Sequence, residues 1–476
     1  MAFTISIKNA GKVHEIELED SATGLEFKKK IQDITQIPVE RQKILIKGGK
    51  LSDDVVVSTL KANLKNPIMV LGTPDKDLPV FDSNKHVFLE DLNENQLVKV
   101  AEEPSGLINL GNTCYLNSSL QALYNIKDIS DKVKSSSGST AMISTLKGIF
   151  NAMGKKQQNV DPTLFLMQFR AQFPQFAEQE MGMYKQQDAE EAFSQIMTVL
   201  GSTFDINDAF RIDFKTVTKC LSLPEEEPKI GSDSASKLSC HIDIKTNFLR
   251  DGIINGLTDK LEKRNETLNA NAEYEITKTI TRLPKYLTVH FMRFFWRRDT
   301  RKKSKILRKV QFPFELDLSE MLDPSIEQEK IEVRDKLRKI EKDNDELIRD
   351  FKKAKKDKSL TPKQQQEEDE LKIESIKSKF MDDFAGILPK DFSFETATEN
   401  PSSVYELQAI ITHQGSSADS GHYQAFVKNE KDLEGESWWK FNDNKVSSVN
   451  RDKIEALAGG GESDSALILI YKAKGF

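Results

Sequence analysis

The chain has 476 residues, of which 38% are hydrophobic and 30% are charged. At roughly 150 residues per domain, this length predicts two or three domains. The sequence contains no apolar run of about 18 residues, the length that a membrane-spanning helix needs, and its N-terminus lacks the continuous apolar core of a secretory signal. Its 69 basic and 75 acidic residues give a net charge of −6, which argues against a dedicated nucleic-acid-binding protein. We therefore expect neither a membrane nor a nucleic acid as a partner.

Three cysteines are present: Cys114, Cys220 and Cys240. They are too few for a disulfide scaffold, and they suit a reducing compartment in which a free thiol persists. Cys220 and Cys240 stand alone, with His241 beside the second, and lack the paired Cys-x-x-Cys spacing of a tetrahedral zinc site. We predict no metal site and no cofactor. The open question is whether one of the cysteines is a nucleophile.

Residues 1–75 show the strand and helix order of a small β-grasp domain, β-β-α-β-β. Two alternating stretches predict a hairpin, Ser21 or Thr23 can cap a following helix, and Lys43–Ile46 and Ile68–Leu71 predict short strands. The string IQDITQIPVERQKILIKGGKL, at 31–51, resembles the middle third of ubiquitin. No Gly-Gly terminus is exposed where the unit ends, so we expect a built-in ubiquitin-like domain that is not conjugated to other proteins.

Ubiquitin-like domains present an apolar patch on their sheet, and three residues here lie at or near the matching positions: Leu45, Met69 and Leu71. A contiguous apolar patch on a small domain usually marks a binding surface. The alternative is a β-grasp domain that has no partner.

The sequence predicts a linker at residues 76–104. It predicts a large mixed domain at residues 105–476, with a helical insertion at about 325–385. The insertion is highly charged, and its few apolar residues, among them Leu337 and Leu347, follow helical spacing. It is either a solvated helical hairpin or an arm that binds a partner.

The segment at 106–120, GLINLGNTCYLNSSL, carries the strongest chemical signal in the chain. A loop rich in Gly and Asn leads into an amphipathic helix, and Cys114 stands at the junction. The unpaired N–H groups and partial positive charge of a helix N-terminus favour a thiolate over a thiol. Asn109 can point its amide at the same space, where it would stabilise an oxyanion. The alternative for an isolated cysteine is a small buried hydrophobic residue.

A second pair of segments favours the nucleophile: 412–427, THQGSSADSGHYQAFV, and 438–446, WWKFNDNKV. They predict neighbouring strands that hold His422 beside Asn442 or Asp443. A base oriented by a third group is the arrangement that activates a thiol. His413, on the other side of the Gly/Ser loop, lacks such a partner segment and is interpreted as structural.

These two blocks resemble the Cys and His boxes of the ubiquitin-specific proteases, a papain-like class of deubiquitinase. Shorter similarities at 186–191, 283–287 and 464–471 extend the resemblance over nearly all of 105–476. It implies an α+β chain, with a β-grasp ubiquitin-like domain followed by a papain-like catalytic domain of thumb, palm and fingers.

The resemblance also implies roles for single residues. Cys114 matches the nucleophile, His422 the general base, and Asn109 the side chain of the oxyanion hole, beside the Cys114 backbone N–H. Asn442 matches the third member of the triad, where the family usually has Asp. An amide oxygen can still fix the imidazole tautomer, and Asp443 can supply part of the missing charge.

By the same resemblance, two polar and two aromatic residues border the channel for the basic C-terminal tail of ubiquitin: Gln187, Asp188, Tyr423 and Phe312. Glu190 lies beside them, where it is either part of that border or part of a charged helix start. Two loops, within 291–309 and at 414–420, correspond to segments that can cover the cleft.

We therefore expect a ubiquitinyl hydrolase that cleaves the isopeptide bond after the last glycine of ubiquitin, with polyubiquitinated proteins as substrates. The added ubiquitin-like domain implies docking on the regulatory particle of the 26S proteasome, in the cytoplasm and nucleus, with weak activity when free. The alternatives are a largely non-catalytic, ubiquitin-binding regulator of the proteasome and a deubiquitinase that acts without it.

Overall fold

A computed structural model describes residues 2–9, 12–39, 42–46, 49–59, 67–71, 103–138, 140–157, 159–297, 302–353, 362–417, 420–432, 435–461 and 463–476. The chain divides into two compact units, Met1–Lys99 and Val100–Phe476. Of the predicted linker, only residues 103 and 104 lie within the described ranges. No helix in those ranges combines the length and the apolar character needed to cross a membrane.

The first unit is a mixed sheet with one helix across it. Its elements are β1 (Ala2–Asn9), β2 (Lys12–Glu19), α1 (Gly24–Thr35), β3 (Lys43–Ile46), β4 (Gly49–Lys50) and β5 (Ile68–Leu71), and the sheet order is β2-β1-β5-β3-β4. Helix α1 starts at a capping box in which Thr23 accepts from the Glu26 N–H and Glu26 accepts from the Thr23 N–H. Phe27 and Ile31 turn into the core beneath the sheet. The predicted β-grasp order is confirmed, with Thr23 rather than Ser21 as the cap.

The second unit begins with a helical part. It comprises β6 (Gly106–Leu107), α2 (Cys114–Tyr124), α3 (Lys127–Ser135), α4 (Ala141–Gly154), β7 (Asn159–Val160), α5 (Thr163–Gln172), β8 (Gln179–Glu180), β9 (Met183–Tyr184) and α6 (Ala189–Thr203). Helix α2 is buried on nearly all sides, its polar residues included, and it lies between α6 and the large sheet, because its apolar residues join the core that both of them share.

Two sheets form the rest of the second unit. One has the order β11-β10-β14-β13, from β10 (Ile212–Cys220), β11 (Lys229–Ala235), β13 (Thr258–Asn265) and β14 (Ala270–Arg282). The larger sheet has the order β12-β15-β23-β19-β20-β21-β22, from β12 (Leu238–Cys240), β15 (Tyr286–Phe291), β19 (Val404–Ser417), β20 (Ser420–Lys428), β21 (Ser437–Asn442), β22 (Lys445–Asn450) and β23 (Ser465–Ala473). One face of the larger sheet packs on α2, and the other covers a second core.

Smaller elements complete this unit: α7 (Leu249–Gly256), the hairpin of β16 (Phe294–Arg297) and β17 (Lys302–Lys305), β18 (Glu315–Asp317) on β19, and α10 (Arg451–Glu455). The predicted insertion forms two helices, α8 (Pro324–Lys353) and α9 (Pro362–Ile387). These helices share an apolar cluster in which Leu337 and Phe384 are fully buried. Leu347, which was predicted for the apolar stripe, is instead about half exposed. The insertion is therefore packed where it joins the domain and polar further along α8.

The aromatic cluster at the base of the insertion also holds the last residue of the chain. The ring centroids of Phe392 and Phe394 lie 6.0 and 5.2 Å from that of Phe476, and the centroid of Phe394 is 5.7 Å from that of Phe384. Rings at such distances in tilted and edge-to-face arrangements stabilise one another beyond their buried area.

We predict that Phe384→Ala loosens the insertion, because truncating a buried Phe costs about 3–5 kcal/mol. Hydrogen exchange of the amides in α8 and α9 measures the free energy of local opening. Leu347→Ala is the matched control, with an expected change within about 0.5 kcal/mol because the side chain is exposed. Equal exchange rates in the two variants would contradict this account of the packing.

Candidate active site

The thiol of Cys114 lies at the N-terminus of α2, where the sequence predicted it. The loop before it turns through left-handed backbone at Gly111 and Asn112, with φ of 92° and 52°. The Asn109 side-chain oxygen accepts from the Gly111 N–H at 2.9 Å and so fixes the turn. Cys114 is the first residue of the helix, and its N-cap, Thr113, makes no side-chain capping bond. The N–H groups of Cys114 and Tyr115, at the start of α2, therefore have no side-chain acceptor from the cap.

His422 lies on β20 and joins the thiol to Asn442 on the neighbouring strand β21. Its Nε2 lies 2.6 Å from the Asn442 Oδ1, which leaves Nδ1 for Cys114. The hydrogen bond with Cys114 raises the pKa of His422 to about 9, supported by the Asn442 hydrogen bond and by the charges of Cys114 and Asp443, and opposed by burial. The imidazole is therefore charged near neutral pH, as a thiolate–imidazolium pair requires.

Asp443 follows Asn442 at a two-residue turn, and its carboxylate contacts three other side chains of the site. Its Oδ2 accepts from the Asn109 Nδ2 at 2.9 Å, and its Oδ1 accepts from the Asn117 Nδ2 at 2.8 Å. The same Oδ2 is 3.9 Å from the His422 Nε2. The carboxylate thus holds the loop and the helix that carry Cys114 against the sheet that carries His422.

The amide of Asn109 is partly engaged elsewhere. One of its N–H groups points to Asp443, as just described, so a role in the oxyanion hole would require the second N–H. That role stays a prediction.

A hollow of about 950 Å³ opens beside the Cys114 loop and contains two of the residues predicted for the tail channel, Gln187 and Asp188. Glu178, Glu180 and Glu191 add negative charge to its wall, against one lysine, Lys185, which pairs with Glu178 at 3.8 Å. Asp188 also caps α6 by accepting from the Glu190 N–H at 2.8 Å. The space next to the nucleophile is therefore acidic.

The two predicted aromatic walls do not face this hollow. Tyr423 is fully buried, with its ring edge-on to His413 at 4.8 Å. Phe312 packs near Phe291 at 6.4 Å between ring centroids and lines a separate groove with Phe314. The sequence could not give these positions, because alternation along a strand does not say which of two cores an aromatic ring enters.

Glu190 points away from the hollow and forms an ion pair with Lys237, which lies between β11 and β12. It also accepts from the Ser194 hydroxyl at 2.7 Å. Burial raises its pKa, but His290 and Lys237 outweigh burial, and the net pKa of Glu190 is lowered. Its carboxylate therefore ties α6 to the sheets.

His413 is buried on β19 and is structural in character, as the sequence suggested. Burial lowers its pKa to about 3, so the ring is neutral. The ring of Phe294 on β16 meets it edge-on at 5.1 Å, and Lys305 on β17 donates to its backbone oxygen at 2.6 Å. The β16–β17 hairpin is thereby attached to the root of the loop that leads to His422.

Gln186 is the residue that sequence reasoning missed. Its side-chain Nε2 lies 3.3 Å from the Cys114 Sγ. It belongs to the block QQDAEE, but nothing in the spacing distinguished the first glutamine from the second.

The other two cysteines lie apart from each other. Cys220 packs with Ala272 and Tyr274, and Cys240 belongs to the second core of the catalytic domain. Within the ranges that the structure describes, no three His, Cys, Asp or Glu side chains gather closely enough to hold a metal ion.

Comparison with known proteins places these features in context. Residues 105–471 match the family model described as ubiquitin carboxyl-terminal hydrolase, and residues 5–75 match the ubiquitin family. The chain is 39% identical to ubiquitin carboxyl-terminal hydrolase 6 of Schizosaccharomyces pombe, over 100% of this chain and 99% of that protein. It is 32% identical to ubiquitin carboxyl-terminal hydrolase 7 of Arabidopsis thaliana, over 99% of each, and 31% identical to ubiquitin carboxyl-terminal hydrolase 14 of Caenorhabditis elegans, over 99% and 93%.

We predict that Cys114→Ala lowers the pKa of His422 from about 9, because the substitution removes the hydrogen bond and the charge that do most to raise it. At pH 8 the imidazole would then be mostly neutral, whereas in the unmodified chain it is mostly charged. An NMR titration of the His422 ring protons measures the change. A midpoint that stays near 9 in the variant would show that the thiol does not hold the proton on the imidazole.

Proposed function

This chain belongs to the ubiquitin carboxyl-terminal hydrolase family and is a thiol-dependent deubiquitinase, and we propose that it acts on ubiquitinated proteins held at the proteasome. The main evidence for thiol-dependent catalysis is the contact of His422 with both Cys114 and Asn442. This contact gives a charged imidazole beside a thiol at a helix N-terminus. The docking part depends on the N-terminal ubiquitin-like domain.

The reaction follows from this geometry. The thiolate of Cys114 attacks the carbonyl carbon of the last glycine of ubiquitin, and the imidazolium of His422 then protonates the leaving lysine amine. Water, activated by the now neutral imidazole, hydrolyses the thioester and restores the pair. Proton transfer by a positioned side chain of this kind typically contributes about 10²–10⁴-fold to the rate.

The acidic hollow supports binding of the ubiquitin tail. Asp188 and Glu191 face a space that adjoins the nucleophile, and a basic segment ending in glycines suits its charge. We assign Gln187 and Asp188 to tail binding on this basis, and we leave Tyr423 and Phe312 out of that assignment.

Contacts of the β16–β17 hairpin, which belongs to the predicted covering loop within 291–309, support low activity of the free enzyme. The β16–β17 hairpin is linked to β19 through Lys305, as described above, and the burial of this lysine lowers its pKa to about 8. If this hairpin has to move for ubiquitin to enter, the movement would expose Phe294 and break the Lys305 hydrogen bond, so it would cost free energy. A docking partner that favours the open arrangement would raise the turnover.

The outer face of the ubiquitin-like sheet supports docking. Met69 and Leu71 are about half exposed on β5, and they pair across the sheet with Lys8 and Lys43. The side chain of Leu45, the third predicted patch residue, lies outside the described residues. An apolar patch flanked by lysines suits a partner surface that is apolar and acidic. Docking at the proteasome would place the enzyme in the cytoplasm and nucleus.

The replacement of the usual Asp by Asn442 favours a second candidate, a ubiquitin-binding regulator of the proteasome with incidental catalysis. A third candidate is a deubiquitinase that works without the proteasome and uses its ubiquitin-like domain internally. The non-catalytic regulator predicts that Cys114→Ala reproduces every effect on protein degradation. The proteasome-independent deubiquitinase predicts that the hydrolysis rate does not change when proteasomes are added.

We expect hydrolysis of a ubiquitin–fluorophore conjugate to be slow for the free chain and to rise at least tenfold when purified proteasomes are added. Met69→Ala with Leu71→Ala should abolish the rise and the co-sedimentation with proteasomes, while the basal rate stays the same. Ile34→Ala, at an exposed position on α1, is the matched control and should change neither. Full stimulation of the double variant would contradict docking through this face.

A further inference from the structure

The Gln186 amide occupies a position next to the nucleophile that the triad does not explain. Its Nε2 lies 3.3 Å from the Cys114 Sγ, within hydrogen-bonding reach of a sulfur acceptor. An attacked carbonyl oxygen lies less than 3 Å from the sulfur in a tetrahedral intermediate, because both atoms are bonded to the same carbon. A donor at this place can therefore reach that oxygen as well as the thiolate.

The backbone around Gln186 is fixed to the Cys114 loop and helix on both sides. Before it, the Asn112 side chain donates to the Tyr184 backbone oxygen at 2.9 Å, and the Arg170 guanidinium stacks on the Tyr184 ring at 3.5 Å. After it, the Ser119 hydroxyl, whose shorter hydrogen bond is to the Tyr115 backbone oxygen at 2.8 Å, also lies 3.3 Å from the Ala189 backbone oxygen. Donors that are held in place before the reaction stabilise developing charge most effectively.

The site also needs such a donor. The side chain that the family resemblance assigns to the oxyanion hole, Asn109, has one amide hydrogen committed to Asp443 at 2.9 Å. Gln186 and the first N–H groups of α2 approach the thiol from different elements, so together they can surround a single oxygen.

We infer that Gln186 is a catalytic residue that donates its side-chain N–H to the oxyanion. The Cys114 sulfur forms a bond to the carbonyl carbon, and the π electrons of the carbonyl move onto oxygen, where the Gln186 Nε2 stabilises them. When the C–N bond breaks, those electrons return to re-form the carbonyl, and the amine leaves with a proton from His422. This inference rests on the deubiquitinase activity and adds a donor to it.

The test compares Gln186→Ala and the isosteric Gln186→Glu with the unmodified chain, without proteasomes. We expect kcat for a ubiquitin–fluorophore conjugate to fall about 100-fold, the order seen when one oxyanion donor is removed, with KM within about threefold. The carboxylate of Gln186→Glu has no N–H to donate and repels an oxyanion, so it should be at least as slow as the alanine variant. Gln172→Ala, at the exposed last residue of α5, is the matched control and should be unchanged.

Labelling with a ubiquitin–propargylamide probe separates catalysis from positioning. The carbon that the thiol attacks in this probe carries no carbonyl oxygen, so Gln186→Ala should label at a rate within about threefold of the unmodified chain. Equal losses in labelling and in hydrolysis would overturn the inference, because they would show that Gln186 only aligns the thiol. A hydrolysis rate that is unchanged in both variants would overturn it too. If the unmodified chain neither labels nor hydrolyses, the activity itself is refuted instead.

Discussion

The catalytic site depends on one nearly buried carboxylate, that of Asp443, which joins two parts of the chain more than 300 residues apart. Cys114 belongs to a helix near the start of the domain, and His422 belongs to a sheet near its end. Packing brings the helix and the sheet together through apolar contacts, which are not directional. The hydrogen bonds from Asn109 and Asn117 to Asp443 are directional, so they set the register in which the thiol meets the imidazole.

This arrangement fits the proposal that an amide, that of Asn442, is the third side chain of the triad. Asn442 orients the ring of His422 through a 2.6 Å contact but adds no charge. The charge comes from Cys114 on one side and Asp443 on the other, and their fields add to the hydrogen bonds in holding the proton on His422. Orientation and charge, which a single Asp would combine, are divided here between two consecutive residues of one turn.

The sequence was sufficient for those features that depend on short-range patterns. Strand alternation, the cap at Thr23 and the junction at Cys114 each follow from neighbouring residues, and all three have the predicted local structure. Features that depend on the three-dimensional approach of distant segments were not predictable in this way. The hydrogen bond from Asn117 to Asp443 and the contact of Gln186 with Cys114 are examples, because the two residues of each pair lie on different elements. For the same reason, the sequence did not show that Tyr423 and Phe312 lie outside the hollow that Gln187 and Asp188 line.

A double-mutant cycle on Asn117 and Asp443 tests most directly whether the Asp443 carboxylate holds the Cys114 helix against the His422 sheet. The quantity measured is kcat/KM for a ubiquitin–fluorophore conjugate. Each alanine variant should lose activity, because removing either partner leaves the other buried group without its hydrogen bond. If the carboxylate couples the Cys114 helix to the His422 sheet, the two losses will be non-additive, with an interaction free energy of about 0.5–3 kcal/mol. Losses that add to within about 0.3 kcal/mol would contradict the account.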